Sequence, residues 1–207
     1  MKQAIARLLL SPLDALTRRL LHAKAVNGLR VLGAGTSIHR TAIIKSAHKL
    51  VVGRNCSIGE YAILDAKSES EVGISIGDYV QIKPKAYIST NGGQIFLEDY
   101  VGIGHGAWLG GRSTIKIGRN SLVGMNTVMI CSNHRHDKVT VPYYDGEEIL
   151  APISVGENVW IGAGCVILPG ASIGDNSVVG AGSVVRGEIP PGCIAFGVPA
   201  EIQSGLG

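Results

Sequence analysis

Aromatic residues are scarce in this 207-residue chain, at 5% of the total with only two Phe and two Trp. A sandwich or helical bundle would have few large rings with which to fill its core, whereas 29 glycines point to short strands joined by tight corners. The four cysteines, Cys56, Cys131, Cys165 and Cys193, are too widely spaced for a paired zinc motif or a dense disulfide framework. A reducing compartment is the simpler expectation. Long apolar runs are lacking as well. The stretch Leu8–Leu10 stops at Ser11, Pro12 and Asp14, too short for a membrane span and without a signal-peptide cleavage pattern, so the protein is expected to stay in the cytoplasm. At 45% hydrophobic, the chain can bury one substantial core, and a second full domain is not expected.

The formal charge of +3 is unevenly placed. Lys2, Arg7, Arg18, Arg19, Lys24 and Arg30 face Asp14 alone in residues 1–30. Ile5, Leu8, Leu9, Leu13, Leu16, Leu20 and Leu21 recur there at helix-like intervals, and Pro12 divides the stretch into two short helices. Two roles are open to this basic amphipathic arm. It packs on the end of the main domain or on a sister subunit, or it rests peripherally on an anionic membrane, which would be the inner membrane surface. No Lys or Arg face is interleaved with aromatics, so nucleic acid is not an expected partner.

From about residue 31 the sequence repeats with period six. In Val155, Ile161, Ile167, Ile173, Val179 and Val185 a branched aliphatic returns without a slip, and earlier copies include Val52/Ile58/Leu64, Ile76/Ile82/Ile88, Leu97/Ile103/Leu109 and Ile117/Val123/Met129. Four residues after each aliphatic stands a compact residue, such as Cys56, Ala62, Ala86, Ala107, Ser121, Thr127, Cys165 or Ser183. Both sets are expected to point inward, three hexads to a coil, with glycine accommodating the corners and each coil buried only by stacking on the next. Periodicity leaves the handedness open. The organisation expected is an arm over 1–30, a β-helix over 31–189 and a C-terminal tail over 190–207. Three interruptions break the period: a polar loop over 65–75, a turn insertion over 89–95, and a large insertion over 130–154, where a solenoid that ejects extra chain is expected to place function.

The large insertion carries Asn133, His134 and His136, and is followed by Asn158-Val-Trp-Ile-Gly-Ala-Gly164 and by Gly197-Val-Pro-Ala200. With the hexads, these stretches resemble the hexapeptide acyltransferases, a family that includes galactoside and maltose acetyltransferases, nodulation acetyltransferases and the O-acetyltransferases of bacterial surface polysaccharides. The resemblance covers about residues 31–202. It implies an all-β solenoid, specifically a left-handed parallel β-helix with a short N-terminal α-helical arm and an extended active-site loop, assembled as a homotrimer with sites between neighbouring subunits. It implies acetyl-CoA as co-substrate, no metal, and a sugar or glycan acceptor acetylated on a hydroxyl by direct transfer. His134 at the motif position would be the general base, since removing a hydroxyl proton suits an imidazole that titrates near neutrality. His136 is its competitor, read otherwise as a solvated loop residue.

The resemblance further implies that His105 and Asn133 bind substrate; Tyr143 and Tyr144 on the loop suit stacking on a sugar, with packing of the loop itself as the alternative. Trp160 would lie against the pantetheine arm, and the backbone around Gly162, Ala163, Gly180 and Ala181 would receive the pantetheine amides. Arg186 would meet a phosphate and Pro199 the adenine. The family often has Lys where this chain has Gly187, which weakens the phosphate expectation. Three other functions compete with this reading. A γ-type carbonic anhydrase needs a His-x4-His pair, but the residue five after His105 is Gly110. N-acetylation of a nucleotide amino sugar ordinarily comes with an additional N-terminal domain. A non-catalytic scaffold would not need His134, Trp160 and the long loop together.

Overall fold

The computed structural model describes residues 23, 26–135, 142 and 146–205. Its short strands recur in threes around a triangular prism. The first face is an eight-stranded sheet running from Val31–Leu32 to Glu188–Ile189, and the second a nine-stranded sheet from Ser37–Ile38 to Ala200–Gly205. The third is a seven-stranded sheet from Ile43–Lys45 to Val184–Val185. Strands stack parallel and in register from coil to coil, as Ile103 does between Ile82 and Val123. Within the C-terminal segment, Cys193–Gly197 continues the parallel stack and Ala200–Gly205 returns antiparallel along it, so both strands belong to the second sheet. This is the expected left-handed parallel β-helix of hexapeptide repeats. The N-terminal arm lies almost wholly outside the described residues, among which no helix is long and apolar enough to cross a membrane.

Both inward sets are buried as the period requires. Ile82, Ile103, Ile117, Ile161 and Ile167 are at most 1% exposed, and so are Ala62, Ala107, Thr127, Val159, Cys165 and Ser183. Each large aliphatic contributes about 1.5–3 kcal/mol on burial, so the hydrophobic gain is spread evenly along the stack. The compact positions do more than fit a narrowing interior. Thr36 donates its hydroxyl to Gly53 O and accepts from Cys56 N–H in the next coil, and Ser121, Thr127 and Ser177 repeat this bridge to Gly156, Gly162 and Pro190. Ser and Thr here satisfy backbone groups that the solenoid buries.

The hexad glycines act differently from the sequence reading. Gly118 has no left-handed φ; instead, a Cβ there would lie 2.5 Å from the carbonyl carbon and oxygen of Gly156 in the next coil. Such glycines permit close stacking, and the left-handed corner position falls two residues later. Between the first and second sheets it is occupied by Asn55, Tyr79, Tyr100, Asn120, Asn158 and Asn176, with φ of 54–60°. Asn tolerates this region, whereas Tyr79 and Tyr100 are unusual in it.

All the insertions fall at one corner, where the third sheet turns into the first. The two smaller ones are shorter than expected, because Asp65, Ile74, Ser75, Ser89, Gln94 and Ile95 are strand residues. Polarity had marked those stretches as loops, yet their outward strand positions are polar and their inward ones are not. Even within the insertions Ala66 and Thr90 are fully buried, Thr90 donates its hydroxyl to Lys67 O, and Ser68 pairs with Gly92.

Candidate active site

The largest insertion leaves the prism as a two-stranded antiparallel ladder, Ser132–His134 against Glu148–Leu150. At its root Cys131 is fully buried, its thiol pushed up by desolvation, and its sulfur accepts from Ser113 N–H at 3.3 Å. Asn133 Oδ1 accepts the backbone N–H of His134 at 2.9 Å, so the side chain of this expected substrate residue also holds the histidine's backbone. Glu148 is the direct cross-strand partner of His134, and its Oε2 lies 3.5 Å from Arg112 Nη1. Beyond His134 the chain stays tied down, because Arg135 N–H donates to Glu147 O at 2.8 Å and the two side chains pair at 3.2 Å. His134 is thus exposed at a corner but carried on ordered backbone. His136, Tyr143 and Tyr144 lie outside the described residues.

A second concentration of functional groups lies on the outward face of the second sheet. Trp160 projects there, 58% exposed, in an outward column that reads Gln81, Gly102, Leu122, Trp160 and Val178. Gly102 supplies no side chain, and Leu122 leans back over it, since a Cβ on Gly102 would meet Leu122 Cδ2 at 2.7 Å. The result is a notch of about 430 Å³. One wall is the stacked pair Tyr79 and Tyr100, with ring centroids 4.8 Å apart and planes within 2°. The other wall, at the corner with the third sheet, carries Lys83, His105 and Met125. The expected substrate residue His105 therefore shares a cavity with Trp160. Tyr79, Tyr100, Gln81 and Lys83 were not singled out from sequence. The available signal was Tyr standing where other coils carry Asn, and a glycine at an outward strand position.

Beside Trp160 the backbone groups of the four expected cofactor residues are used unevenly. Gly162 and Gly180 do not offer free groups. Their N–H groups donate to Val179 O and Ala195 O, while Gly162 O accepts from Thr127 and Gly180 O from Ser183. The ladder needs these amides to bind coil to coil. The flanking, exposed Ala163 and Ala181 keep N–H groups with no partner among the described residues. Pro199 is exposed in the turn that ends the second sheet. Arg186 is exposed and forms no ion pair among the described residues, but it follows Val185 on the third sheet and so stands at the corner of His134.

Within one chain, then, the expected residues form two groups separated by the third sheet. Asn133, His134 and Arg186 line one of its corners; His105, Ala163 and Ala181 line the other, with Trp160 beside them. One outward column between them is apolar on every rung, Ile43, Ile63, Tyr87, Trp108, Val128, Val166 and Val184, while the neighbouring column toward the His134 corner carries Lys45, Asp65 and Ser89 on its first rungs. Tyr87 and Trp108 stack at 5.9 Å there, and the Trp108 ring lies over Gly110.

Comparison with known proteins agrees with this architecture. Residues 152–187 match the bacterial transferase hexapeptide (six repeats) family, and residues 100–130 match the hexapeptide repeat of succinyl-transferase. The chain is 35% identical over 160 residues to the galactoside O-acetyltransferase of Escherichia coli, covering 77% of this chain and 68% of that one. It is also 35% identical over 130 residues to a Mycobacterium tuberculosis protein assigned as an acetyltransferase, covering 62% of this chain but spanning only 43% of that protein. Among solved structures, AntD, an N-acyltransferase from Bacillus cereus in complex with dTDP-4-amino-4,6-dideoxyglucose and coenzyme A, has the same fold, with a TM-score of 0.64, 21% identity and coverage of 86% of this chain and 84% of that one. The repeats, the corner loop and the extent of the match to the galactoside enzyme together show that this chain belongs to the hexapeptide-repeat acyltransferase family.

Proposed function

We propose that the protein is an acetyl-CoA-dependent O-acetyltransferase that acetylates a hydroxyl of a sugar or surface-polysaccharide precursor, with His134 as general base. The observation that carries this reading is the presentation of His134, exposed on an anchored ladder at one edge of the third sheet, whose other edge adjoins Trp160 and the N–H groups of Ala163 and Ala181, unpaired among the described residues. The named activity of the galactoside relative supports the chemistry.

His134 takes the acceptor hydroxyl proton as the oxygen attacks the thioester carbonyl, the C–O bond forms as the C–S bond breaks, and the departing thiolate leaves with that proton. The thioester is already activated, so no covalent enzyme intermediate is needed. Trp160 gives the pantetheine arm an aromatic surface, and Ala163 and Ala181 donate to its amides. Because one chain holds the two residue groups on opposite edges of the third sheet, the site is assembled between subunits of a homotrimer. The continuous apolar column from Ile43 to Val184 supports that association.

The test is thiol release from acetyl-CoA with hexosides, oligosaccharides and nucleotide amino sugars, comparing wild type with His134→Ala. Acceptor-dependent release should fall by about 10²–10⁴ in the variant, the range for loss of a general base, while coenzyme A still binds. Full activity in His134→Ala would remove the proposed base. A preference for an amino sugar would reassign the reaction to N-acetylation.

A further inference from the structure

The notch on the second sheet has an unequal distribution of charge. Lys83 is the one Lys or Arg in its lining, which also holds His105, and no carboxylate joins them. Its ammonium donates to Gln81 Oε1 at 2.8 Å and forms no ion pair among the described residues. An ammonium has three donors, so one neutral amide leaves most of its capacity unused, and the apolar walls made by Tyr79, Tyr100 and Leu122 strengthen its field within the cavity. Arg54, Lys116 and Arg119 each sit against a carboxylate, whereas Lys83, like Arg186, has none among the described residues, and Lys83 differs from Arg186 in lining a cavity.

The notch is also long. Gln81 and Trp160 occupy the same outward column three rungs apart, through Gly102 and Leu122. At the usual strand spacing this is about 14 Å along the prism. A molecule with its reacting hydroxyl beside Trp160 and a second group beside Lys83 must extend beyond a single pyranose ring.

We infer that the acceptor is an extended, anionic saccharide, bound with its negatively charged group at Lys83 and its hydroxyl toward Trp160. Lys83 selects the charge, and the Tyr79–Tyr100 wall holds the body of the molecule whatever its charge. This inference rests on the assignment of Trp160 to the thioester end. The shared ligand chemistry is a sugar bearing a carboxylate or a phosphate, which arises in acidic oligosaccharides and in sugar nucleotides.

The experiment measures kcat/KM with the full-length protein for matched acceptors: cellobiose against cellobiouronic acid, and N-acetylglucosamine against its uridine diphosphate conjugate. Coenzyme A binding is measured in parallel by calorimetry. The anionic member of at least one pair should be favoured by about tenfold or more, the scale of one charge-assisted hydrogen bond. The favoured pair identifies the carboxylate or the phosphate source. Lys83→Met should abolish the preference without changing turnover of the neutral member. Tyr100→Asn, which places at this corner the residue found at Asn120, should weaken both members alike.

Neutral members used as well as their anionic partners in both pairs, or a preference that survives Lys83→Met, would overturn the inference. So would coenzyme A binding with no turnover of any anionic acceptor. A change in oligomeric state of Lys83→Met by sedimentation would also overturn it, by giving the notch to a contact between copies. Absence of coenzyme A binding in the wild type would instead remove the acetyltransferase reading on which the inference rests.

Discussion

His134 and Glu148 stand directly opposite each other in the antiparallel ladder at the mouth of the long insertion, and Glu148 ties that ladder back to the preceding coil through Arg112. Directly paired residues on adjacent strands keep their side chains on the same face, and we predict from this register that Glu148 orients the imidazole. It is a positioning residue for the proposed base. Glu148→Ala should lower kcat by about ten- to a hundredfold, the scale for displacing a reacting group by a fraction of its contact distance, with KM for acetyl-CoA unchanged. Glu148→Asp should recover part of the loss. Unchanged kcat in the alanine variant would show that the ladder alone orients His134.

Thr127 tests how the solenoid satisfies its buried backbone. Fully buried, it donates to Gly162 O at 2.9 Å and accepts from Cys165 N–H at 3.3 Å. Thr127→Val keeps shape and volume but strands both groups, and should lower stability by about 1–3 kcal/mol, read as a fall in thermal midpoint. An unchanged midpoint would mean that the coils close up without the hydroxyl.

Two glycines separate the two reasons for glycine in the repeat. A Cβ on Gly118 would overlap the backbone of Gly156, whereas Gly192, at φ 68°, has nothing within 4 Å of its added Cβ. Gly118→Ala should therefore destabilise by about 3 kcal/mol or more, because the obstacle is backbone that cannot turn aside. Gly192→Asn should cost less than about 1 kcal/mol, since Asn tolerates a left-handed corner. Equal losses in denaturant titrations would contradict the close-stacking account.

A pH-dependent contribution comes from Asp78. Arg54 donates its guanidinium and its backbone N–H to this carboxylate, with contacts of 2.6–3.0 Å, and the side-chain hydrogen bond holds the carboxyl below its ordinary range. A depressed folded-state value stabilises the protein above the unfolded carboxylate range and is lost as pH falls through the folded value. Asp78→Asn should melt below wild type at neutral pH, and the two melting curves should converge in acid. A constant difference at all pH values would assign the effect to packing.

How far the sequence could be read depended on whether a signal repeats. Every coil must bury the same two positions, so the aliphatic and compact residues announce themselves in each copy, from Val52 with Cys56 to Val179 with Ser183. His134 and Trp160 were singled out only through motif resemblance, since neither follows from the period. That the ladder uses the N–H groups of Gly162 and Gly180 was not legible, because a string does not say which amides pair coil to coil. Lys83, Tyr79 and Tyr100 were passed over because each looks like an ordinary surface residue of its own hexad.

The sequence by itself determined the solenoid, its inward positions and the insertion that carries His134, because period and burial are properties of spacing along the chain. Only the tertiary structure decided which surface residues are neighbours. Stacking brings residues about twenty positions apart into contact, which builds the notch from Tyr79, Lys83, Tyr100, His105 and Trp160 on successive coils. Folding into a prism also assigns each residue to a face, and this places His134 and Trp160 on opposite sides of the third sheet. Residue spacing fixes the coil, but the direction of each side chain and the meeting of distant rungs are set only when the coils close.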